Sequence, residues 1–121
     1  DNRTTGIRVP ISHPESRRVE NRVVGMDTNP YLALAASLAC GYLGMKGDLK
    51  PREAVAGEAY KQPRALPRDL LAALDLFKDR SVTAVLGEEF CALYRTIKRD
   101  EVETFLRVIS PWERDHLLLN V

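Results

Sequence analysis

From Tyr31 to Met45 the chain carries not one charged side chain, and the run follows directly on Asn29-Pro30. Asn is a favoured N-cap because its side-chain oxygen accepts from amides of the first turn, and Pro suits the first helical position. Together they predict a helix over residues 29–46. A membrane span needs about 20 apolar residues; this run is shorter and crowded with Ala, Gly and Ser. Small side chains let neighbours approach closely, so the run predicts a core helix enclosed by protein on all sides. Whatever else folds here has to cover it.

The preceding stretch has a different character. Arg17-Arg18-Val19-Glu20-Asn21-Arg22-Val23-Val24, ended by Gly25, mixes charged and β-branched residues. As a strand it places Arg18, Glu20 and Arg22 on one face and Val19 and Val23 on the other. Side chains two apart then stand roughly 6.6–7 Å apart, a useful spacing for a metal and two anionic groups in a row. A solvated face with weak ion pairs has the same pattern. Ile7 to Ile11 is also β-rich, and Pro10 confines it to an edge or a strand end. The turn-rich Ser12-His13-Pro14-Glu15-Ser16 between the two stretches favours an antiparallel pair.

Beyond the apolar helix, residues 47–66 are rich in Pro, Gly and charge and read as a long irregular loop. Pro67 opens an amphipathic helix with Leu70, Leu71, Leu74 and Phe77 on one side and Asp69, Asp75 and Lys78 outside. Ser81 is positioned to cap a short helical turn before Gly87. The longest helix runs from about Glu88 to Val108, with Phe90, Leu93, Tyr94, Ile97, Val102, Phe105, Leu106 and Ile109 as its apolar set. Lys98-Arg99-Asp100-Glu101 would be its solvated middle. Ser110-Pro111-Trp112-Glu113 combines an N-cap, a proline at the first position and a capping-box Glu, before a short turn and the apolar tail His116 to Val121. The expected fold class is α+β and predominantly helical: a short antiparallel β-pair (1–25), the core helix (29–46), the loop (47–66) and a helical tail (67–121), about four helices in all.

Charge narrows the partners. Eighteen basic against seventeen acidic residues leave a net charge of +1, which argues against nucleic acid and against an anionic membrane. Cys40 and Cys91 stand alone in apolar helical contexts and match no metal or redox spacing, so two buried thiols in a reducing cytoplasmic setting are expected. His13 and His116 lie at opposite ends, and no histidine metal site is legible. The first residues already read as a loop running into a strand, without Met or a capping element, and predict a piece of a longer polypeptide.

Three blocks then carry a resemblance: Asn2-Arg3-Thr4-Thr5-Gly6-Ile7-Arg8-Val9-Pro10, the Arg17-to-Arg22 strand, and Asn29-Pro30-Tyr31-Leu32-Ala33. In order and spacing, over roughly residues 1–46, they resemble the carboxy-terminal part of the glutamine synthetase catalytic domain. Ser110-Pro111-Trp112-Glu113-Arg114 and Leu117-Leu118-Leu119-Asn120-Val121 are similar to the γ-glutamyl-polyamine synthetase branch. The resemblance implies an ATP-dependent ligase that phosphorylates the glutamate side chain and lets ammonia, an amine or a polyamine displace the phosphate, with Mg²⁺ or Mn²⁺ as cofactor. It implies a homo-oligomeric ring with active sites between neighbouring subunits. Carried over by position, Arg3 faces the phosphoryl group in transfer, Arg8 and Arg18 hold ATP phosphates, Glu20 is a metal ligand, and Arg22 binds the α-carboxylate of glutamate. Arginine's rigid fork suits phosphate and carboxylate, and a hard cation prefers carboxylate oxygen. Arg3 and Arg8 have opposite parity, so they share a face only if the backbone turns between them, which Gly6 would permit.

The family's other metal carboxylates, its metal-site histidine and its flap acid lie upstream of the matching residues. One carboxylate does not make a two-metal site, so the isolated chain is expected to be inactive and the whole protein active. Tyr60 sits near the regulatory nucleotidylated tyrosine of some bacterial members, but Ala59-Tyr60-Lys61-Gln62-Pro63 departs from that motif; a loop tyrosine packing its ring is the ordinary expectation. Two other readings compete with the ligase: a non-catalytic helical assembly module, and a degenerate family member.

Overall fold

The computed structural model describes residues 2–63 and 66–119. They fall into two compact units, Asp1–Ala65 and Leu66–Val121. Among the described residues there are two short strands and five α-helices, in keeping with a predominantly helical α+β class.

In the first unit, β1 (Ile7–Arg8) pairs antiparallel with β2 (Glu20–Asn21), Ile7 opposite Asn21 and Arg8 opposite Glu20. The amide of Arg22 extends the pairing by donating to the Gly6 carbonyl at 2.8 Å. The ladder is far shorter than the stretches 7–11 and 17–24 suggested. Pro10 offers no donor, a 3-10 turn occupies Pro14–Ser16, and a two-stranded pair without further strands is marginal by itself. Val19 and Val23 are both exposed, 67% and 50%, so the apolar face expected behind the charges is not buried. Gly6 turns no corner through a left-handed φ. A Cβ there would come within 2.9 Å of Val23 Cγ2, so glycine is needed for the close approach of the two segments.

Helix α1 spans Pro30–Lys46, and its cap forms as the sequence indicates, with the Asn29 side chain accepting from the amides of Tyr31 and Leu32 at 3.0 and 3.3 Å. Asn21 Nδ2 donates to Ser37 Oγ at 3.0 Å and fastens β2 to this helix. Among the described residues the helix is not enclosed. Only Ala39 of α1 is buried, while Leu34, Leu38 and Met45 are largely exposed. Cys40 lies on the uncovered surface, so only one of the two thiols is buried. Beyond α1 the chain is irregular apart from a 3-10 turn over Ala59–Lys61. Tyr60 in that turn is 80% exposed; its ring does not pack as an ordinary loop tyrosine's would.

The second unit is built by caps. Helix α2 (Leu70–Leu76) starts after Asp69, not at Pro67, because the Asp69 carboxylate accepts from the Ala72 amide at 2.8 Å. Helix α3 (Arg80–Leu86) is capped by Asp79; Ser81 lies inside the helix and donates its amide to that carboxylate at 2.8 Å. Gly87, at φ +96, joins α3 to α4 (Glu88–Leu106) in a conformation that favours glycine. Helix α5 (Pro111–His116) carries the complete Ser110–Glu113 capping box.

Its core holds Leu74 and Cys91, both buried, beside an aromatic cluster in which Tyr94 meets Phe77 at 5.7 Å and Phe90 at 5.9 Å. The polar middle of α4 does more than face solvent. Arg99 reaches Asp75 of α2 at 2.8 Å, and Lys98 sits 5.8 Å from the centre of the Tyr94 ring. Phe105, Leu106 and Ile109, expected in the apolar set, are exposed. Asn120, Val121, Arg64 and Ala65 lie outside the described residues, and so does the end of the apolar tail. Among the described residues no helix is long and apolar enough to cross a membrane.

Candidate functional site

The candidate residues gather on the β1–β2 pair because the register places Arg8 opposite Glu20. Arg8 Nε lies 2.9 Å from Glu20 Oε2, and its terminal nitrogen donates to Oε1 at 3.2 Å. Arg18, two residues before Glu20, brings a terminal nitrogen within 3.6 Å of the same Oε1. One carboxylate is therefore flanked by two guanidiniums. The Arg8 and Glu20 side chains are each 30% exposed, so the pair is partly shielded and still open to a ligand from solvent.

Arg22 has a different partner. Its guanidinium donates to the main-chain carbonyl of Asn2 at 2.7 Å. The strand proper ends at Asn21, with the Arg22 amide still donating to the Gly6 carbonyl. Asn21 contributes here as well, since its Oδ1 accepts from the Val23 amide at 3.0 Å and bends the chain just past Arg22. Arg3 is exposed in the turn that follows Asn2 and makes no hydrogen bond or ion pair among the described residues. The structure thus joins Arg8, Arg18 and Glu20 directly and brings Arg22 to the residue preceding Arg3.

Among the described residues, the contacts set two arginines, Arg8 and Arg18, against one glutamate. Phosphates and carboxylates are the anions that forked, permanently charged donors bind best. Among the described residues no group of three or more His, Cys, Asp or Glu is assembled around Glu20 or elsewhere.

Sequence reasoning missed Asn2 and Thr4. Asn2 Oδ1 accepts from the Thr4 amide and hydroxyl at 2.9 and 2.6 Å, and Asn2 Nδ2 donates to the Gly57 carbonyl at 2.7 Å. The Asn-x-Thr pattern carries a local signal for the first contact, since Asn side chains bond the backbone two residues on. Nothing local announces Gly57, 55 residues away.

The family described as the glutamine synthetase catalytic domain matches residues 1–117. The chain is 38% identical over 118 residues to a glutamate–isopropylamine ligase from a Pseudomonas species, covering 93% of this chain and 26% of that protein. It is 38% identical over 115 residues to a γ-glutamylethanolamide synthetase of Streptomyces coelicolor, covering 93% and 25%. With a γ-glutamylputrescine synthetase of Escherichia coli the identity is 36% over 123 residues, covering 99% and 26%. The chain therefore spans about a quarter of the length of the curated relatives it matches.

Proposed function

The chain belongs to the glutamine synthetase catalytic-domain family, and from that premise we propose that it forms the carboxy-terminal part of an ATP-dependent γ-glutamyl ligase. A γ-carboxylate oxygen of glutamate attacks the terminal phosphorus of ATP, ADP departs, and an acyl phosphate forms. An amine nitrogen then attacks the acyl carbon, inorganic phosphate leaves with the C–O bonding electrons, and the nitrogen gives up a proton. Negative charge sits on phosphate oxygens throughout, so catalysis is largely a matter of placing cations.

Arg8 and Arg18 hold ATP phosphates. Their convergence on Glu20, at 2.9 and 3.6 Å, is the observation that carries the proposal, because it directs two guanidiniums at one small volume. Arg3 faces the phosphoryl group in transfer. Arg22 receives the α-carboxylate of glutamate, and Glu20 serves Mg²⁺ or Mn²⁺ as one oxygen ligand among others that come from the upstream part of the domain. A bound divalent cation supplies charge neutralisation at the phosphates. The isolated chain turns over nothing by itself.

The acceptor is ammonia or an amine; the relatives above are named for isopropylamine, ethanolamide and putrescine. The uncovered surface of α1 belongs, in this reading, against the remaining upstream part of the catalytic domain, in a cytoplasmic homo-oligomeric ring. The test is an assay of the full-length protein with ATP, glutamate and, in turn, ammonia, isopropylamine, ethanolamine and putrescine, following ADP and amide. Replacing Arg22 with Ala is expected to raise the KM for glutamate about 10- to 100-fold, the loss of a charge-assisted hydrogen bond. No ADP with any acceptor sinks the proposal.

A further inference from the structure

The hydrogen bonds at the start of the chain run in two directions from one pair of residues. On one side, Asn2 Nδ2 donates to the Gly57 carbonyl at 2.7 Å, and the Thr4 hydroxyl oxygen accepts from the Ala59 amide at 2.7 Å. On the other, the carbonyl of Asn2 accepts from the Arg22 guanidinium at 2.7 Å. Between them, the Thr4 hydroxyl donates to Asn2 Oδ1 at 2.6 Å. The donor and acceptor roles are mutually consistent: the hydroxyl gives its one proton to Asn2 and keeps a lone pair for Ala59. Both residues are half-buried.

We propose that Asn2 and Thr4 are positioning residues, a clasp that holds Arg22 for an amino-acid α-carboxylate and ties it to the segment 57–61. The proposal rests on the role given to Arg22 above. Arg22 spends one N–H on the Asn2 carbonyl, and a guanidinium has five, so a fork remains for an anion. That carbonyl is fixed because the side chain of the same residue is anchored to Gly57 and Thr4. If the segment lifts, the main chain at Asn2 swings and the arginine loses its stop. The far end of the clasp is accessible: Tyr60 is 80% exposed and Lys61 is exposed. A partner that displaces the turn would therefore weaken carboxylate binding without entering the site.

The test uses the full-length protein with Asn2→Ala, Asn2→Asp, Thr4→Val and Thr4→Ser. Asn2→Ala is expected to raise the KM for glutamate about tenfold, with kcat and the KM for ATP changed no more than about threefold. Thr4→Val is expected to speed hydrogen exchange at the Ala59 amide and trypsin cleavage after Lys61, and Thr4→Ser, which keeps the hydroxyl, to restore both. Asn2→Asp keeps the acceptor for Thr4 and sets an acceptor against the Gly57 carbonyl, so it breaks the tie to Gly57 alone and serves if the alanine variant does not fold. An unchanged glutamate KM in the folded Asn2 variants overturns the proposal, as does a uniform loss across kcat and both KM values. If the wild-type protein makes no glutamate amide, the ligase reading falls. Exchange at Ala59 and cleavage after Lys61 still decide whether the clasp exists.

Discussion

Arg8 and Glu20 stand directly opposite each other in the β1–β2 register, and two nitrogens of the arginine face both oxygens of the glutamate, at 2.9 and 3.2 Å. The pair is a charged contact between the two strands of the candidate site. A lysine at position 8 would keep the charge and lose the fork, because an ammonium is a point donor that cannot face two oxygens in a plane. Arg8→Lys in the full-length protein is expected to raise the KM for ATP about tenfold and to leave that for glutamate within about threefold. Steady-state kinetics with each substrate varied in turn would show it; equal effects on both would remove Arg8 from the phosphate side.

Gly6 gives a second prediction. A Cβ at that position would meet Val23 Cγ2 at 2.9 Å, and valine is stiff about χ1 and gives way poorly. Gly6→Ala is expected to cost about 1–2 kcal/mol, as overpacking does. Val23→Ala in the same protein should recover most of the loss, a coupling that a double-mutant cycle reads directly. Independent, additive effects would mean that the contact is not the reason for glycine.

The two cysteines should separate chemically. Cys91 is 1% exposed, and burial pushes its thiol above the ordinary value although Arg95 pulls the other way. Cys40 is exposed on α1. In the isolated chain one thiol is expected to react at once with a thiol-specific reagent and the other only on unfolding. In the full-length protein Cys40 should become protected too, if upstream chain covers α1. Prompt reaction of Cys91 would show that the core between α2 and α4 does not close.

Asp79 supplies the pH dependence. Hydrogen bonds from the Ser81 hydroxyl and amide hold its carboxyl below the ordinary range, against a smaller opposing effect of desolvation. A folded pKa below the unfolded one means that the stabilisation is complete above the unfolded value and disappears as the pH falls through the folded one. The window lies below about pH 4. Asn caps a helix as well as Asp does and does not titrate, so Asp79→Asn should match the wild type at neutral pH and lose less on acidification. Parallel melting curves from neutral pH down through that window would contradict this.

Local signals read well in this sequence, and contacts between distant segments did not. Asn29-Pro30 and the Ser110–Glu113 box each act within a few residues, and both caps form as their sequence implies. At α2 and α3 two cap-type residues competed. Asp69 and Asp79 won over Pro67 and Ser81 because a carboxylate placed just before the helix reaches its first free amides, as the 2.8 Å contacts to Ala72 and Ser81 show. In the site, Arg18 comes within 3.6 Å of Glu20 from outside the short strand, and Arg22, whose amide still pairs with Gly6, turns its guanidinium to the Asn2 carbonyl. The ties from Asn2 to Gly57 and from Thr4 to Ala59 cross 55 residues each. Composition and periodicity carry no trace of such a pairing.

One consequence of α1 concerns how mutations would be scored. Its apolar side chains at Leu34, Leu38 and Met45 lie in the open while Ala39 alone is buried. A substitution scan performed on these 121 residues would grade polar replacements at those three positions as harmless or even beneficial for solubility. The same replacements in a protein whose remaining chain surrounds the helix would place uncompensated polar groups in an interior, among the most damaging changes a fold can suffer. Tolerance measured on the part would then run opposite to tolerance in the whole, residue by residue along the same helix.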